Sequence, residues 1–267
     1  MIKISAIIIT LNEERNIGRC LQSLKDVADE IVVVDSFSKD KTEEICKSYG
    51  AKFIQHKFEG YIEQKNFALK QESNDFVLSL DADEALSDTL RQSILQLKNN
   101  NAVAGLDGYK MNRLTNYCGK WIRHGSWYPD RKLRLFNRNK GTWGGDNPHD
   151  KFIPDENAKT GFLKGDILHY SFYSVEEHKK QARKFAEISA RSLYARGRRS
   201  TVFHILFRPL FKIVRDYIFK LGFLDGYYGL VICAITVKAT YIKYSVLRGL
   251  EKASPPAPLQ RRGESTN

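Results

Sequence analysis

Two short runs of β-branched residues, 3–9 (KISAIII) and 30–35 (EIVVVD), read as buried strands of a parallel sheet, because a strand covered on both faces is apolar at successive positions. Between them Ile17, Cys20, Leu21, Leu24 and Ala28 recur at helical spacing, with Glu13 and Glu14 in a first turn that Asn12 can cap. Strand, helix and strand make one βαβ unit. A second cycle follows: Asp40 and Glu43 stand like a capping box before a helix to about Tyr49, and a strand is expected over 51–55. A third helix covers 61–72. The strand at 76–80 then delivers the acidic turn Asp81-Ala82-Asp83-Glu84, and Ser87 opens an amphipathic helix through Leu90, Ile94 and Leu97. This alternation predicts the α/β class with a doubly wound, mostly parallel sheet.

From Gly105 the strand-like pieces shorten (GYKMNR, KLRLFNR) among loops rich in Gly, Trp, His and Arg, read as the second half of the same domain. Residues 175–197 form a basic amphipathic helix, and 201–248 read as helices crowded with Phe, Tyr, Ile and Leu. The longest uncharged run there, 226–237, is 12 residues, whereas spanning a bilayer takes ~20; no membrane-spanning helix is expected. Apolar and aromatic residues interleaved with Lys and Arg suit an interfacial helix, the alternative being a helical subdomain with a solvated basic face. The chain therefore divides into a domain at 1–172, a basic helical extension at 173–252 and a Pro-rich polar tail at 253–267, expected to be disordered.

Composition sharpens this outline. Of 267 residues, 42% are hydrophobic and 28% charged, enough apolar content for a core and against a disordered or fibrous chain. The four cysteines include no C-x-x-C pair, so neither a zinc site nor a disulfide framework is suggested, and a reducing compartment is expected. Residues 2–9 are too short an apolar stretch for a signal peptide, which points to the cytoplasm. The formal charge is +12, and residues 169–252, with 16 Lys and Arg against 6 Asp and Glu, account for +10 of it. Such a basic segment calls for an anionic partner, a membrane surface or a nucleic acid.

Ligands of an open parallel sheet bind beyond the carboxyl ends of its strands, and here those ends carry Thr10 and Asn12, then Asp35, then Asp81 and Asp83. Neither a Walker A pattern nor a G-x-G-x-x-G fingerprint occurs. Two carboxylates one residue apart can instead share Mg2+ or Mn2+, which would bridge the oxygens of a diphosphate; the plainer reading is a solvated helix entry. Downstream, Trp121, Trp127 and Trp143 fall close to Arg123, His124, Arg131 and Arg134. Aromatic faces stack on sugar rings and arginines pair with phosphate, so the cluster reads as an acceptor or phosphate site, although any single Trp is better explained as core.

IIITLNEERNIGRCLQSL, EIVVVDSFSKDKT, YIEQKNFAL and LSLDADE together resemble a family 2 glycosyltransferase of the GT-A fold over the first hundred residues. GKWIRHGSWYPDRKLRLFNR, the neighbourhood of His149, and FLDGYYGL before KATYIKYSVL resemble its lipopolysaccharide-core β-1,4-glucosyltransferase subgroup. The resemblance implies an inverting enzyme that moves a sugar, glucose from UDP-glucose, onto a lipid-linked glycan at the cytoplasmic membrane face. The basic extension then meets anionic lipid, and no nucleic acid is expected. Thr10, Asn12 and Asp35 would line the nucleoside pocket, Asp35 accepting hydrogen bonds from uracil, with Lys65 against base or phosphate. Asp81 and Asp83 would hold ribose and metal, Asp83 directly, and His149 could complete the metal shell. Inversion needs a carboxylate to take the acceptor's proton: Asp130 is the first choice and Asp150 the rival, since the subgroup's His-Glu stands here as His149-Asp150. Two other functions fit parts of the pattern. A nucleotidyltransferase would want a Gly-rich phosphate loop where TLNEERN stands, and an RNA-binding protein would use the basic C-terminal third.

Overall fold

The computed structural model of the chain describes residues 2–99, 105–146 and 149–253, so the expected tail lies, from residue 254 on, outside the described residues. In chain order the elements are β1 (Ile4–Thr10), α1 (Ile17–Ser23), β2 (Glu30–Asp35), α2 (Thr42–Ser48), β3 (Lys52–Gln55), α3 (Tyr61–Ala68), β4 (Phe76–Asp81), β5 (Glu84–Leu86) and α4 (Asp88–Asn99). There follow β6 (Gly108–Tyr117), β7 (Lys120–Ile122), β8 (Asp130–Asn137), β9 (Gly141–Asp146), β10 (His149–Pro154) and β11 (Thr160–Phe172), then α5 (Val175–Ala195), α6 (Val202–Lys212) and α7 (Gly226–Ala253). They form two compact units, one of residues 1–116 and 127–171, the other of 117–126 and 172 onward.

The first unit is built on a sheet in the order β3-β2-β1-β4-β8-β6-β11-β5. Its first four strands are parallel, β1 pairing with both β2 and β4, and the second half is antiparallel at β4–β8, β8–β6 and β11–β5. The apolar runs of β1, β2 and β4 are explained by burial on both faces. Ile4, Ala6 and Ile8 pack with Leu78 and Leu80 under α1 and α4, while Ile7, Val32, Val34 and Val77 pack on the other side with Ala68, Phe136, Trp143 and Phe152. Gly165 lets β11 pass beneath the start of α4: its φ is +108°, and a Cβ there would lie 2.3 Å from the Leu90 nitrogen.

One helix start differs from expectation. Asn12 does not cap α1; it takes a left-handed φ of 54°, donates its N–H to Ser38 Oγ at 2.7 Å and accepts the Lys39 N–H at 2.8 Å. Residues 11–16 thus form a loop tied to the turn after β2, and α1 begins only at Ile17.

The second unit is mainly helical. α5 opens with a capping box, the Glu177 N–H on Ser174 Oγ at 3.2 Å and the Ser174 N–H on Glu177 Oε2 at 3.2 Å. α7 packs on α5 and α6 through Ala190, Tyr244 and Leu247, with Ile205 against them. Between α6 and α7 the chain winds through a π-helical turn, Ile213–Phe219, and a 3-10 turn, Gly222–Asp225. This last turn runs on into α7, giving one helical stretch, 222–253, long and apolar enough by length and composition to cross a membrane, with only 28% of its most apolar window buried. The uncharged run at 226–237, from which no spanning helix is expected, is only part of this stretch, whose apolar character continues past Lys238.

Candidate functional site

The parallel ladder sets Thr10 beside Asp35 and Ile9 beside Asp81, so the carboxyl ends of β2, β1 and β4 lie next to one another. Asp35 is fully buried and accepts both the N–H of Ser38, at 2.8 Å, and its hydroxyl. The Ser38 hydroxyl in turn accepts from Asn12, so these residues lock the mouths of two strands together. Thr10 is buried and its hydroxyl has no partner among the described residues.

Beyond Asp81 runs a line of alternating charges. Asp150 Oδ2 lies 2.7 Å from Lys65 Nζ, which lies 2.9 Å from Asp81 Oδ1. Asp81 Oδ2 is 3.0 Å from Arg134, which reaches Glu84 at 3.4 Å; Glu84 meets Arg113 at 3.4 Å, and Arg113 meets Asp130 at 2.8 Å. Four acids alternate with three cations, and the two candidate bases are its two ends. Burial pushes the Asp81 carboxyl up, but Lys65 and Arg134 outweigh it and hold it well below the usual carboxylate range. Burial likewise opposes the charge on Arg134, and Glu84 and Asp81 more than restore it.

This line involves three of the expected site residues. Lys65, expected against base or phosphate, has its ammonium buried between two carboxylates. Arg134, expected at an acceptor or phosphate site, is buried against Asp81 and Glu84, with one Nη lacking a partner among the described residues. Asp81 is engaged on both oxygens by Lys65 and Arg134, whereas Asp83, expected to be the direct metal ligand, stands outside this line.

The ends of the line differ in origin. Asp130 opens β8 directly opposite Arg113 of β6 and also pairs with Lys132, a cross-strand arrangement that the sheet itself explains. Asp150 sits on the separate β9–β10 ribbon, where Trp143 and Phe152 are paired and pack on Phe136. Asn66 of α3 fastens that ribbon, accepting the Trp143 N–H at 3.1 Å and donating to its carbonyl at 2.9 Å. The aromatic pair and Asn66 thus bring Asp150 to the next residue along, Lys65. The Asp150 side chain is 12% exposed and that of Asp130 28%.

Asp83 has a partner the sequence did not reveal: His169 Nε2, 3.2 Å from Asp83 Oδ2. The antiparallel pairing of β11 with β5 sets His169 opposite Glu84, and its Nδ1 is buried without a partner among the described residues. Two ligands about 2.1 Å from one ion at a right angle lie roughly 3 Å apart, and Mg2+ draws only one or two carboxylates from protein, completing its shell with water and phosphate oxygens. Asp83 and His169 therefore fit a divalent ion, though no group of three or more His, Cys, Asp or Glu around one point occurs among the described residues. His149 opens β10, and its side chain is outside those described.

The aromatic and basic cluster is divided. Trp127 is half-buried and Arg131, over the Phe162 ring at 5.6 Å, exposed in the first unit. Trp121, Arg123 and His124 belong to the second, where the Asp225 carboxylate accepts the N–H of Arg123 at 3.1 Å and of His124 at 2.9 Å.

Comparison with known proteins bears on this arrangement. The sequence model of the family described as glycosyl transferase family 2 matches residues 5–153. A Rickettsia typhi protein named as an uncharacterized glycosyltransferase is 30% identical over 261 residues, 95% of this chain and 89% of its own. The lipopolysaccharide core biosynthesis glycosyltransferase LpsC of Rhizobium meliloti is 29% identical over 259 residues, 91% of this chain and 93% of its own. Among solved structures, S. aureus TarS 1-349 in complex with UDP-GlcNAc matches with a TM-score of 0.44 at 17% identity, over 94% of this chain and 92% of that one. With the family sequence model covering more than half its length, the chain belongs to the family 2 glycosyl transferases.

Proposed function

We propose that this glycosyltransferase moves a hexose, glucose from UDP-glucose, onto a lipid-linked glycan of the lipopolysaccharide-core type at the cytoplasmic membrane face, with inversion at the anomeric carbon. The observation that carries the reading is Lys65 joining Asp150 to Asp81, which couples a carboxylate on the ribbon to the acidic end of the central strand. The LpsC relative, named for lipopolysaccharide core biosynthesis, supports the acceptor class.

Asp35, Thr10 and Asn12 at the strand ends would receive the nucleoside, the Thr10 hydroxyl offering an uncommitted partner. Asp83 and His169 would hold Mg2+ or Mn2+, which when bound neutralises charge developing on the departing diphosphate. The acceptor hydroxyl attacks the anomeric carbon, its proton passing to Asp150, while the bond from that carbon to the diphosphate oxygen breaks and its electron pair leaves with UDP. Asp150 takes this role rather than Asp130, whose pairing with Arg113 is accounted for by the β6–β8 ladder.

Transfer from UDP-glucose to a lipid-linked core acceptor, measured on Asp150→Asn and Asp130→Asn, tests the assignment. The proposal expects Asp150→Asn to lose at least about a hundredfold in kcat with little change in KM, and Asp130→Asn to lose far less. The reverse order would move the base to Asp130, and no transfer by the wild type from any UDP-sugar would reject the donor class.

A further inference from the structure

α6 is apolar on the side turned away from its neighbours as well as on the side packed against them. Ile205 and Pro209 face inward, yet Phe203 is 60% exposed and Leu206, Phe207, Leu210 and Phe211 are exposed with it, at spacings of three and four that put them on one stripe. Exposed apolar side chains continue along the chain past the helix. Phe219 is 77% exposed, Tyr227 71%, and Phe223, Leu224 and Leu230 stand out between and beyond them. Large contiguous apolar surfaces on a folded chain mark an interaction site.

The charges around this surface say what would cover it. From 196 to 250 the chain has ten Lys and Arg and only two acids, Asp216 and Asp225. Both acids are buried, Asp216 holding Arg215 at 2.5 Å and Ser126 at 2.5 Å, Asp225 holding the Arg123–His124 backbone, whereas none of the ten cations is buried. A second copy of the chain would set like charges against like. An anionic bilayer offers apolar depth beneath a layer of phosphates, the complement of a segment that combines an exposed aromatic stripe with unburied Lys and Arg.

We propose that α6 and the turn leading into α7 form a bilayer-docking surface, the exposed Phe and Leu side chains entering the headgroup boundary of an anionic membrane while the surrounding Lys and Arg meet its phosphates. This deepens the membrane-face part of the proposed function and rests on it. A basic loop travels with the surface. Lys120 Nζ donates to the Asp225 carbonyl at 2.7 Å, the Gly125 N–H to the Lys220 carbonyl at 2.8 Å and Ser126 Oγ to Asp216, so residues 120–126 are pinned to the docking turn. Docking therefore carries the exposed Arg123 to the level of the headgroups.

Flotation of the full chain with vesicles of phosphatidylcholine, with and without phosphatidylglycerol, tests this, alongside Phe207→Glu/Phe219→Glu and the conservative Phe207→Leu/Phe219→Leu. Stabilisation by UDP with Mn2+ is followed on every variant. The wild type should float with anionic vesicles and lose at least about tenfold in partitioning on neutral ones or in high salt. The glutamate pair should lose about as much on anionic vesicles, the leucine pair should keep binding, and all should keep the UDP response. Flotation of the glutamate pair at the wild-type level would overturn the proposal. So would a wild type that stays down with both vesicles, and a dimer broken by the glutamate pair would then name a second copy as the cover. Loss of the UDP response in the wild type with flotation intact would sink the transferase reading and leave the docking surface standing.

Discussion

Lys65 Nζ is held 2.7 Å from the carboxylate of Asp150, a residue 85 positions further along the chain, and the same ammonium lies 2.9 Å from Asp81. One buried cation thus serves two carboxylates from different elements. Lys65→Met should leave Asp150 without its cation and Asp81 with Arg134 alone, costing about 3–5 kcal/mol of stability and at least about a hundredfold in kcat/KM. Lys65→Arg should rescue little, because a planar guanidinium replaces a compact ammonium. Denaturant melts with steady-state kinetics on both variants check this; near-wild-type activity in Lys65→Met would remove the bridge from the mechanism.

The ribbon that carries Asp150 depends on its aromatic pair. Phe152 stacks on Phe136 with ring centroids 3.6 Å apart, so Phe152→Ala should cost about 3–5 kcal/mol and lower kcat by unseating Asp150. Phe152→Leu should retain most of both. A Phe152→Ala enzyme with unchanged kcat would mean that the ribbon does not position the base.

Much of the first unit is legible in the sequence, and the reason is local. A strand buried on both faces must be apolar at consecutive positions, so β1, β2 and β4 are recognisable, and their ends name Thr10, Asp35 and Asp81. What the sequence conceals is long-range compensation. Lys65 and Arg134 carry the residue types of surface contacts, and only the folding of α3 and β8 against acidic neighbours buries them. His169 has no local mark at all: it reaches Asp83 because β11 returns antiparallel to β5, a pairing no short pattern reports. The Asn12 loop escapes for the opposite reason, its residue type suiting a cap and a left-handed turn equally.

His178 predicts a pH dependence of the second unit. Burial pushes its imidazole down from 6.5 to about 4, and its Nδ1 lies 3.0 Å from the Tyr117 hydroxyl. Because the folded state resists protonation while the unfolded state accepts it near 6.5, the unfolded chain binds more protons between these values. Stability is then full above pH 6.5 and falls as pH drops toward 4, by up to about 3 kcal/mol. Denaturant melts across that window should steepen for the wild type and flatten for His178→Gln; equal slopes would place the acid sensitivity elsewhere.

Two glycines of α7 should respond with opposite sign. A Cβ on Gly229 would lie 2.0 Å from the Gly222 carbonyl oxygen, so Gly229→Ala should forfeit about 1–3 kcal/mol. Gly249 has nothing within 4 Å, and Gly249→Ala should add up to about 1 kcal/mol by helix propensity. Thermal midpoints of the two variants decide it; a neutral Gly229→Ala would show that the turn before α7 yields freely.

The proposed nucleotide site works with a divalent ion held at Asp83. Its most direct test is the thermal midpoint with UDP, GDP, CMP, UDP-glucose and ATP, each with and without Mn2+, on the wild type and Asp83→Ala, because a ligand specific to the folded state must raise the midpoint. The account predicts a rise with UDP and UDP-glucose that requires Mn2+ and vanishes in Asp83→Ala, a variant that loses charge at a strand end and keeps its fold. A UDP shift of the same size in Asp83→Ala, or none with any nucleotide, would contradict it.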